Sequence, residues 1–306
     1  MLVEVGLFLL GLALLVVGAD RAVRAAAELA LFYGVSAFFV GVTVISVGTS
    51  VPEMTTSVYG ALYGAGDVVV GNIVGSETAQ ITLAIGIVAL ISPIVTGRRN
   101  VMTYGGAMVL AMVIMVLTLD DGVIGRSEGV LMMLAYVQFV YILYTSEGGE
   151  EVAEEVIEET SRPERTLPRI ALGLAMVVVG GHLLVTGGVD IARSMGVSEY
   201  TIGLLAGLGT TTPEIVVAGV AARQGSGGIS VGAILGSNIT DPVFSLGIGA
   251  LVADVRVADV AAVSASMTYM IVVSIVVLGL FYWREGIDRR AAEVCMALYV
   301  PSFLIG

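Results

Sequence analysis

The stretch GTSVPEMTTS at residues 48–57 places a proline and a glutamate inside an otherwise apolar run, and GTTTPEIVVA at residues 209–218 repeats the pattern. Both residue types are costly in a hydrocarbon environment, because proline removes a helical hydrogen bond and a carboxylate loses its hydration. A costly hexapeptide that recurs in two apolar segments indicates a structural or functional requirement. The sequence around the two copies decides the fold class.

The composition is that of a polytopic membrane protein. Hydrophobic residues make up 57% of the 306 positions, charged residues make up 13%, and the mean hydropathy is +0.98, whereas soluble domains are about 25% charged. The charges are clustered, which leaves apolar windows of about 18 residues or more, long enough to cross a bilayer. The single cysteine, Cys295, excludes an intramolecular disulfide framework. The apolar N-terminal segment is expected to be a retained first span, since it lacks a basic region.

Turn-rich or charged breaks separate ten apolar segments, and one long hydrophilic connection divides them five plus five. We therefore predict an all-α membrane protein with a first five-helix repeat at 1–145, an acidic linker at 146–168 and a second five-helix repeat at 169–306. The linker is interpreted as solvated, although its glutamates could also sense cations or bind a partner. The ten expected spans are 3–26, 36–62, 68–92, 100–119, 127–145, 169–191, 198–221, 228–252, 259–282 and 289–306.

The distribution of arginine predicts the orientation, because the chain contains no lysine. Alternate loops carry eleven arginines on one side and three on the other. By the positive-inside rule, the side with eleven is cytoplasmic, which places both termini outside and the acidic linker inside the cell membrane. The eleven are Arg21, Arg24, Arg98, Arg99, Arg162, Arg165, Arg169, Arg223, Arg284, Arg289 and Arg290, and the three are Arg126, Arg193 and Arg256.

The two halves of the chain are copies of each other. GLALLVVGAD at 11–20 matches GLAMVVVGGH at 173–182, and VGNIVGSETAQ at 70–80 matches VGAILGSNITD at 231–241. Since each half has an odd number of predicted spans, the halves must lie inverted in the membrane. Inverted repeats with broken helices and a site at the midplane are typical of secondary transporters.

Each copy of the hexapeptide predicts an interrupted helix lined with oxygen atoms. Pro52 leaves the carbonyl of Gly48 without its helical partner, and Pro213 does the same to Gly209. Irregular backbone at membrane depth persists only where it lines a cavity or is buried in protein. The freed carbonyls are then expected to converge with carboxylates and hydroxyls. The side chains concerned are Glu53, Glu214, Thr49, Ser50, Thr210 and Thr211.

The third and eighth predicted spans supply the other wall of this site. Ser76 and Gln80 are four residues apart and share a helix face, and Ser237 and Asp241 repeat that spacing. No cysteine or histidine accompanies these oxygen donors, which argues against zinc, copper or iron. Hard cations such as Ca²⁺, which takes about 6–8 oxygen ligands, fit the donor set.

The buried charge indicates exchange rather than simple binding. Glu53, Glu214 and Asp241 would each cost about 2.5–3.5 kcal/mol at the centre of a bilayer, and without compensation some of them would take up protons. The cluster therefore suits a site that is normally filled with cations. Two ion species competing for it would give obligatory exchange, because the unfilled, charged site should resist crossing.

These motifs resemble those of the cation/calcium exchanger superfamily, and specifically its sodium/calcium exchanger branch of prokaryotic type. Its two α-repeats carry G-T-S-x-P-E followed by G-S-x-x-x-N/D, and the chain reads GTSVPE with GSETAQ and GTTTPE with GSNITD. The resemblance covers essentially the whole chain. It implies ten helices, of which the second, third, seventh and eighth are broken, and alternating access in which the first and sixth helices slide across the others.

The resemblance also implies the roles of individual residues. Glu53 and Glu214 would be the central Ca²⁺ ligands, together with the backbone carbonyls of Thr49 and Thr210. Gln80 and Asp241 would line the middle position. The flanking Na⁺ positions would involve Ser50, Ser76, Thr211 and Ser237, and the outer carbonyl donors would be Ser46 and Gly207. The expected partners are thus Ca²⁺ and Na⁺ as substrates and membrane lipid, with no nucleic acid and no cofactor, and a monomer could suffice.

The chain departs from the family pattern at several positions. Gln80 stands where Asn or Asp is usual, and Pro242 follows Asp241 directly. The second half lacks one residue between Gly203 and Gly209, which shifts the carbonyls before the second hexapeptide. Glu77, in the position of Asn238, could add charge to the site, but it is expected to point outward or to carry a proton. These departures leave the ion preference and the stoichiometry open.

Three other functions remain as alternatives to an electrogenic Na⁺/Ca²⁺ antiporter. An H⁺/Ca²⁺ or other cation antiporter of the same superfamily is the nearest, although the hydroxyls beside the glutamates favour Na⁺. A cation channel is less favoured, since selectivity filters usually come from several identical subunits. An intramembrane hydrolase lacks support, because the chain has a single histidine and no paired catalytic groups.

Overall fold

The computed structural model describes residues 2–146, 163–195, 209–258 and 260–302, and the described chain is mainly helical. Its helices are α1 (Leu2–Tyr33), α2 (Ala37–Val40), α3 (Ser46–Thr49), α4 (Val51–Leu62), α5 (Gly66–Ala79), α6 (Ile85–Ile91), α7 (Arg98–Asn100), α8 (Gly106–Thr118), α9 (Arg126–Ser146), α10 (Pro163–Ser194), α11 (Thr212–Arg223), α12 (Gly227–Thr240), α13 (Leu246–Val252), α14 (Val260–Arg284) and α15 (Arg289–Ala297). The π-helical turns are Gly41–Ile45, Gln80–Ala84, Val101–Gly105 and Asp241–Ser245, and the strands are β1 (Ile94–Val95), β2 (Val123–Ile124), β3 (Val255–Arg256) and β4 (Gly286–Ile287).

The helix lengths and their hydropathy confirm a membrane protein. Among the described residues, seven helices are long and apolar enough to cross a bilayer, and one bent pair makes an eighth candidate. The expected total of ten stays a prediction. The seventh expected span, 198–221, begins outside the described residues, as does most of the acidic linker, and α15 has only nine residues.

The second expected span is broken where the first hexapeptide predicts it. The segments Ala37–Thr49 and Val51–Leu62 meet at an angle of 46°. Ser50 separates them with a ψ of 5°, and Pro52 occupies the first turn of α4, where its missing N–H removes no helical hydrogen bond. In the second half, Pro213 likewise lies in the first turn of α11.

The expected breaks in the third and eighth spans are wrong. Gly66–Ile91 and Gly227–Val252 each run as one helix of 26 residues. The irregularity is instead a π-helical turn, which begins at Gln80 in one helix and at Asp241 in the other. Such turns insert one extra residue without unwinding the chain, and they are frequent at functional sites. These two helices are also the most buried of the candidate spans, at 78% and 89%.

Helices α1 and α10 pack against each other in antiparallel fashion along a row of glycines. A Cβ at Gly11 would lie 2.5 Å from the backbone nitrogen of Leu184, and a Cβ at Gly173 would lie 2.8 Å from that of Ala22. Such close approach requires small residues, which is the usual device for packing helices in lipid. The glycines along this contact recur every seventh residue: Gly11, Gly18, Gly173, Gly180 and Gly187.

Two small antiparallel sheets tie the connecting loops together at two places. Strand β1 pairs with β4 through Ile94 and Ile287, and β2 pairs with β3 through Val123 and Arg256. The first pairing joins loops that the arginine counts assign to one side, and the second joins loops assigned to the other. The pairings therefore place these loops in the same two groups as the arginine counts, one group for each side of the membrane.

Corresponding elements of the two halves have matching bounds. Helices α4, α5 and α6 and the π turn at Gln80–Ala84 recur 161 residues later as α11, α12, α13 and the turn at Asp241–Ser245. The connections match as well, since Gly64 and Gly225 follow α4 and α11 with φ of +69° and +78°. Only glycine adopts this left-handed conformation without strain.

Candidate functional site

Buried polar side chains of the described residues concentrate in four segments of the chain. All but Thr166 and Ser274 lie within residues 46–57, 76–82, 211–214 or 230–245. These segments belong to α3 and α4, to α5 and its π turn, to the start of α11, and to α12 and its π turn. The two hexapeptides and the two GS segments thus contribute to the same polar interior, as the sequence predicts.

Three carboxylates lie at the centre of this interior. Glu53, Glu214 and Asp241 each have 0% of their surface exposed, and both Glu214 and Asp241 act electrostatically on Glu53. Within the part of the chain that the structure describes, none of the ion pairs with arginine involves them. A buried ion pair of either glutamate with an arginine, which would give these residues a purely structural role, is therefore not observed among the described residues.

Glu53 is connected to both halves of the chain through Ser76. The hydroxyl of Ser76 donates to Oε1 of Glu53 at 3.3 Å, and it lies 3.5 Å from the hydroxyl of Thr210. The arrangement brings residues of α4, α5 and the second hexapeptide to one point. Oε1 of Glu53 is thus oriented by a donor, whereas Oε2 has no hydrogen-bond partner.

A chain of hydrogen bonds links Gln80 and Asp241 across the two halves. Asn238 Nδ2 donates to Gln80 Oε1 at 2.8 Å, and Gln80 Nε2 donates to Asp241 Oδ2 at 3.3 Å. The hydroxyl of Ser245 donates to Asp241 Oδ1 at 3.0 Å. The long Gln80 side chain, which departs from the family pattern, thus reaches the opposite aspartate directly.

The hydroxyls around the first hexapeptide face residues of the second half. Ser46 Oγ lies 3.2 Å from Thr240 Oγ1. Thr49 is a neighbour of the Glu214 carboxylate, and Ser50 is a neighbour of Asp241. Gly207, which the sequence aligns with Ser46, lies outside the described residues.

Many of these buried oxygen atoms have no hydrogen-bond donor. A buried polar atom without a partner costs about 1–3 kcal/mol, so a cluster of them favours occupation by cations or by water molecules. Oxygen atoms alone are what hard cations bind. The unpartnered atoms are Glu53 Oε2, Glu214 Oε1, Glu214 Oε2, Ser50 Oγ, Thr211 Oγ1 and Ser237 Oγ.

The donor set is mixed rather than purely carboxylate. Among the described residues, no three Asp, Glu, His or Cys side chains lie close enough to hold a metal by themselves. Hydroxyl and backbone oxygens must therefore complete the coordination of any ion, as the sequence predicts.

A cavity of about 450 Å³ lies beside this polar interior, between α4, α10 and the second hexapeptide. It is lined by both prolines of the hexapeptides, Pro52 and Pro213, and by Thr210 and His182. Since Thr210 also lies beside Ser76, the cavity reaches the edge of the polar interior.

Several contributing side chains escape prediction from sequence. Asn238 and Ser245 contact Gln80 and Asp241. Glu77 is fully buried, so its expected outward position is wrong, and its expected protonation stays a prediction. Ser245 could have been found, because it lies one helical turn after Asp241. The hydrogen bond of Asn238 joins it to Gln80 in the other half of the chain, so it depends on how the two halves pack.

Known proteins are similar in sequence to this chain over nearly its whole length. The model of the family described as sodium/calcium exchanger protein matches residues 3–145 and 167–305. An uncharacterized membrane protein of Methanocaldococcus jannaschii is 32% identical, with 98% of this chain and 97% of that protein covered. The sodium/calcium exchanger MaX1 of Methanosarcina acetivorans is 29% identical, with coverage of 98% and 97%.

Solved structures show the same fold. The sodium-calcium exchanger NCX_Mj, soaked with Na⁺ and Sr²⁺, superimposes with a TM-score of 0.83 at 30% identity over 99% of this chain and 98% of that one. The same protein soaked without Na⁺ and Ca²⁺ gives a TM-score of 0.82 at 29% identity and 99% coverage of both chains. From the matched family model and these relatives, we conclude that the chain belongs to the sodium/calcium exchanger family of integral membrane transporters.

Proposed function

We propose that this chain exchanges Na⁺ for Ca²⁺ by alternating access, at one site built from both halves. The observation that carries the proposal is the cluster of buried oxygens around Glu53 and Glu214 that lack hydrogen-bond donors. The names of the exchangers MaX1 and NCX_Mj support the identity of the two ions. Hydroxyls beside each glutamate favour Na⁺ over protons as the coupling ion, since a proton-coupled site needs only carboxylates.

The proposed ligands are those that the family resemblance implies, and the contacts of the described residues support several of them. Glu53 and Glu214 bind Ca²⁺ together with the backbone carbonyls of Thr49 and Thr210. These two carboxylates have unpartnered oxygens, and among the described residues no arginine pairs with them. Gln80 and Asp241 line the middle of the site. The flanking hydroxyls serve the Na⁺ positions: Ser50, Ser76, Thr211 and Ser237, with Ser46 and Gly207 as outer carbonyl donors.

The proposed architecture is two inverted five-helix repeats, 1–145 and 169–306, joined by a linker at 146–168. The matching helix bounds, 161 residues apart, support it. So does the antiparallel contact of α1 with α10, since corresponding helices of inverted repeats run in opposite directions. The arginine counts support a cell-membrane orientation with both termini outside and the linker in the cytoplasm.

Exchange follows from the charge of the site. With its carboxylates uncompensated, a transition between outward and inward access would carry buried negative charge through a low-dielectric interior, which is unfavourable. One divalent ion or several Na⁺ ions remove that penalty. Each crossing therefore requires ions of one kind or the other, and Na⁺ entering down its gradient drives Ca²⁺ in the opposite direction.

The test is the uptake of ⁴⁵Ca²⁺ by proteoliposomes that contain Glu53→Gln or Glu214→Gln. Each change keeps the shape of the side chain and removes one ligand charge, so uptake should fall to the level of protein-free liposomes while the protein still elutes as a folded species. Glu293→Gln, an exposed glutamate on α15, is the matched control and should transport normally. Full transport by either site variant would refute the assignment.

A further inference from the structure

Glu77 is a fourth carboxylate inside the polar interior, outside the ligand set proposed above. It follows Ser76 on α5, has 0% of its surface exposed, and neither of its carboxylate oxygens has a hydrogen-bond partner. The charged groups that act on it most strongly are Asp241 and then Glu214. Among the described residues, no arginine pairs with it.

The corresponding residue of the second half shows why Glu77 is unusual. Asn238 occupies the matching place on α12 and uses its amide as a donor, to Gln80 Oε1 at 2.8 Å and to the carbonyl of Ile234 at 2.9 Å. A glutamate at this place offers two acceptor oxygens and no donor. The first half thus places a carboxyl group in the field of Asp241, where the second half places an amide against Gln80.

A buried carboxylate that lies in the field of another must be neutralised, either by a proton or by a cation beside it. The neighbouring polar groups do not supply one, because Gln80 and Ser245 are neutral donors that each occupy one oxygen of Asp241. The oxygens left over are those of Glu77, the remaining lone pairs of Asp241 and Oδ1 of Asn238, which has no partner.

We infer that Glu77 and Asp241 together hold one monovalent cation, in addition to the ions held at Glu53 and Glu214. The inference rests on the proposed function, because it takes the cation to be the Na⁺ of the exchange cycle. It makes Glu77 a determinant of stoichiometry in this chain: the first half supplies the carboxylate at residue 77 and the amide at residue 80, and the second half supplies them in the reverse order.

The test is the number of ²²Na⁺ ions bound at saturation by the purified full-length protein, without Ca²⁺. Since Glu77→Gln removes the charge that the additional ion needs, this variant should bind about one Na⁺ ion fewer per chain than wild type. Glu293→Gln, which removes an exposed charge instead, should bind the wild-type number. An unchanged number for Glu77→Gln would overturn the inference, including the case in which Glu77 carries a proton.

A second variant, Glu77→Asn, gives the first half the residue of the second half and should show the same loss. Both variants should fold, because Glu77 has no hydrogen bond to lose, and failure of both to fold would contradict its assignment to an ion. Uptake of ⁴⁵Ca²⁺ by wild type separates the two proposals. Absence of Na⁺-driven uptake would refute the proposed function, whereas normal uptake with an unchanged ²²Na⁺ number would refute only this inference.

Discussion

Asp241 shows at the scale of a single residue how the site controls its own charge. One carboxylate oxygen accepts from Ser245 of its own helix, and the other accepts from Gln80 of the opposite half. Both donors are buried and neutral. They fix the direction of the carboxylate without neutralising it, so the charge remains available to an ion.

Replacement of Ser245 by alanine should weaken this orientation. A hydrogen bond to a charged group contributes about 1.5–3 kcal/mol, so we expect a clearly higher Na⁺ concentration for half-maximal Ca²⁺ exchange. The measurement is exchange activity in proteoliposomes as a function of Na⁺ concentration.

Ser274→Ala is the matched control for that change. Ser274 is equally buried and donates to the carbonyl of Met270 within its own helix, at 2.7 Å, away from the site. Its removal should leave the Na⁺ dependence as in wild type. Equal shifts in the two variants would show that the hydroxyl of Ser245 acts on stability and not on the ions.

The residues of the site differ in how well the sequence predicts them. Glu53 and Glu214 are found readily, because each lies in a repeated motif that is costly in a membrane. The roles of Asn238 and Glu77 are harder to find from the sequence, because the residues that surround them come from other helices. A glutamate in an apolar segment points outward in one packing and inward in another, and only the structure distinguishes the two.

At the scale of elements, the bend at Ser50 and the π turns shape the walls of the site. Proline and glycine in the hexapeptide make the bend predictable. The turn that begins at Gln80 contains neither proline nor glycine, so its residues give no reason to expect a break in the helix. The expected break rests only on the family resemblance, and the structure shows a continuous helix. Pro242 marks the corresponding turn in the second half, but a proline does not reveal whether a helix breaks or widens.

The glycine row between α1 and α10 makes a prediction about stability. A methyl group at Gly11 would lie 2.5 Å from the backbone of Leu184, so Gly11→Ala must push the helices apart, at a cost of about 1–3 kcal/mol. We expect a lower thermal unfolding temperature in detergent, measured by the loss of monodisperse protein on heating.

Gly6→Ala on the same helix is the control, because a Cβ there meets nothing within 4 Å. Alanine is the better helix former by about 0.5–1 kcal/mol, so this variant should be as stable as wild type or slightly more stable. An unfolding temperature of Gly11→Ala equal to that of wild type would contradict the close packing of α1 with α10. So would a decrease in the unfolding temperature of Gly6→Ala.

At the scale of the whole molecule, contacts between loops report which connections share a side. Strands β1 and β4 join the loops that carry Arg98 and Arg284, and Arg98 forms an ion pair with Glu285 at 3.1 Å. At the other sheet, Asp67 accepts from the backbone of Ala258 at 3.0 Å, which brings the start of α5 to the loop of β3. These contacts and the arginine counts are independent and divide the loops in the same way.

The orientation in the membrane can be tested with single cysteines at the two sheets. Gly97 lies beside β1, so the cysteine of the Gly97→Cys variant should be cytoplasmic. Asp120 lies beside β2, so the cysteine of the Asp120→Cys variant should be outside the cell. A membrane-impermeant thiol reagent applied to intact cells should label only Asp120→Cys, with little background because Cys295 is buried. Labelling of Gly97→Cys alone would reverse the orientation, and labelling of both would contradict the separation of the sheets.

The measurement that tests the central claim most directly is ⁴⁵Ca²⁺ uptake into Na⁺-loaded proteoliposomes of the wild-type protein. The account predicts rapid uptake when the outside lacks Na⁺, no net uptake when Na⁺ is equal on both sides, and no effect of an ionophore that collapses the proton gradient. Uptake that needs only a pH gradient, or that ignores the Na⁺ gradient, would contradict it.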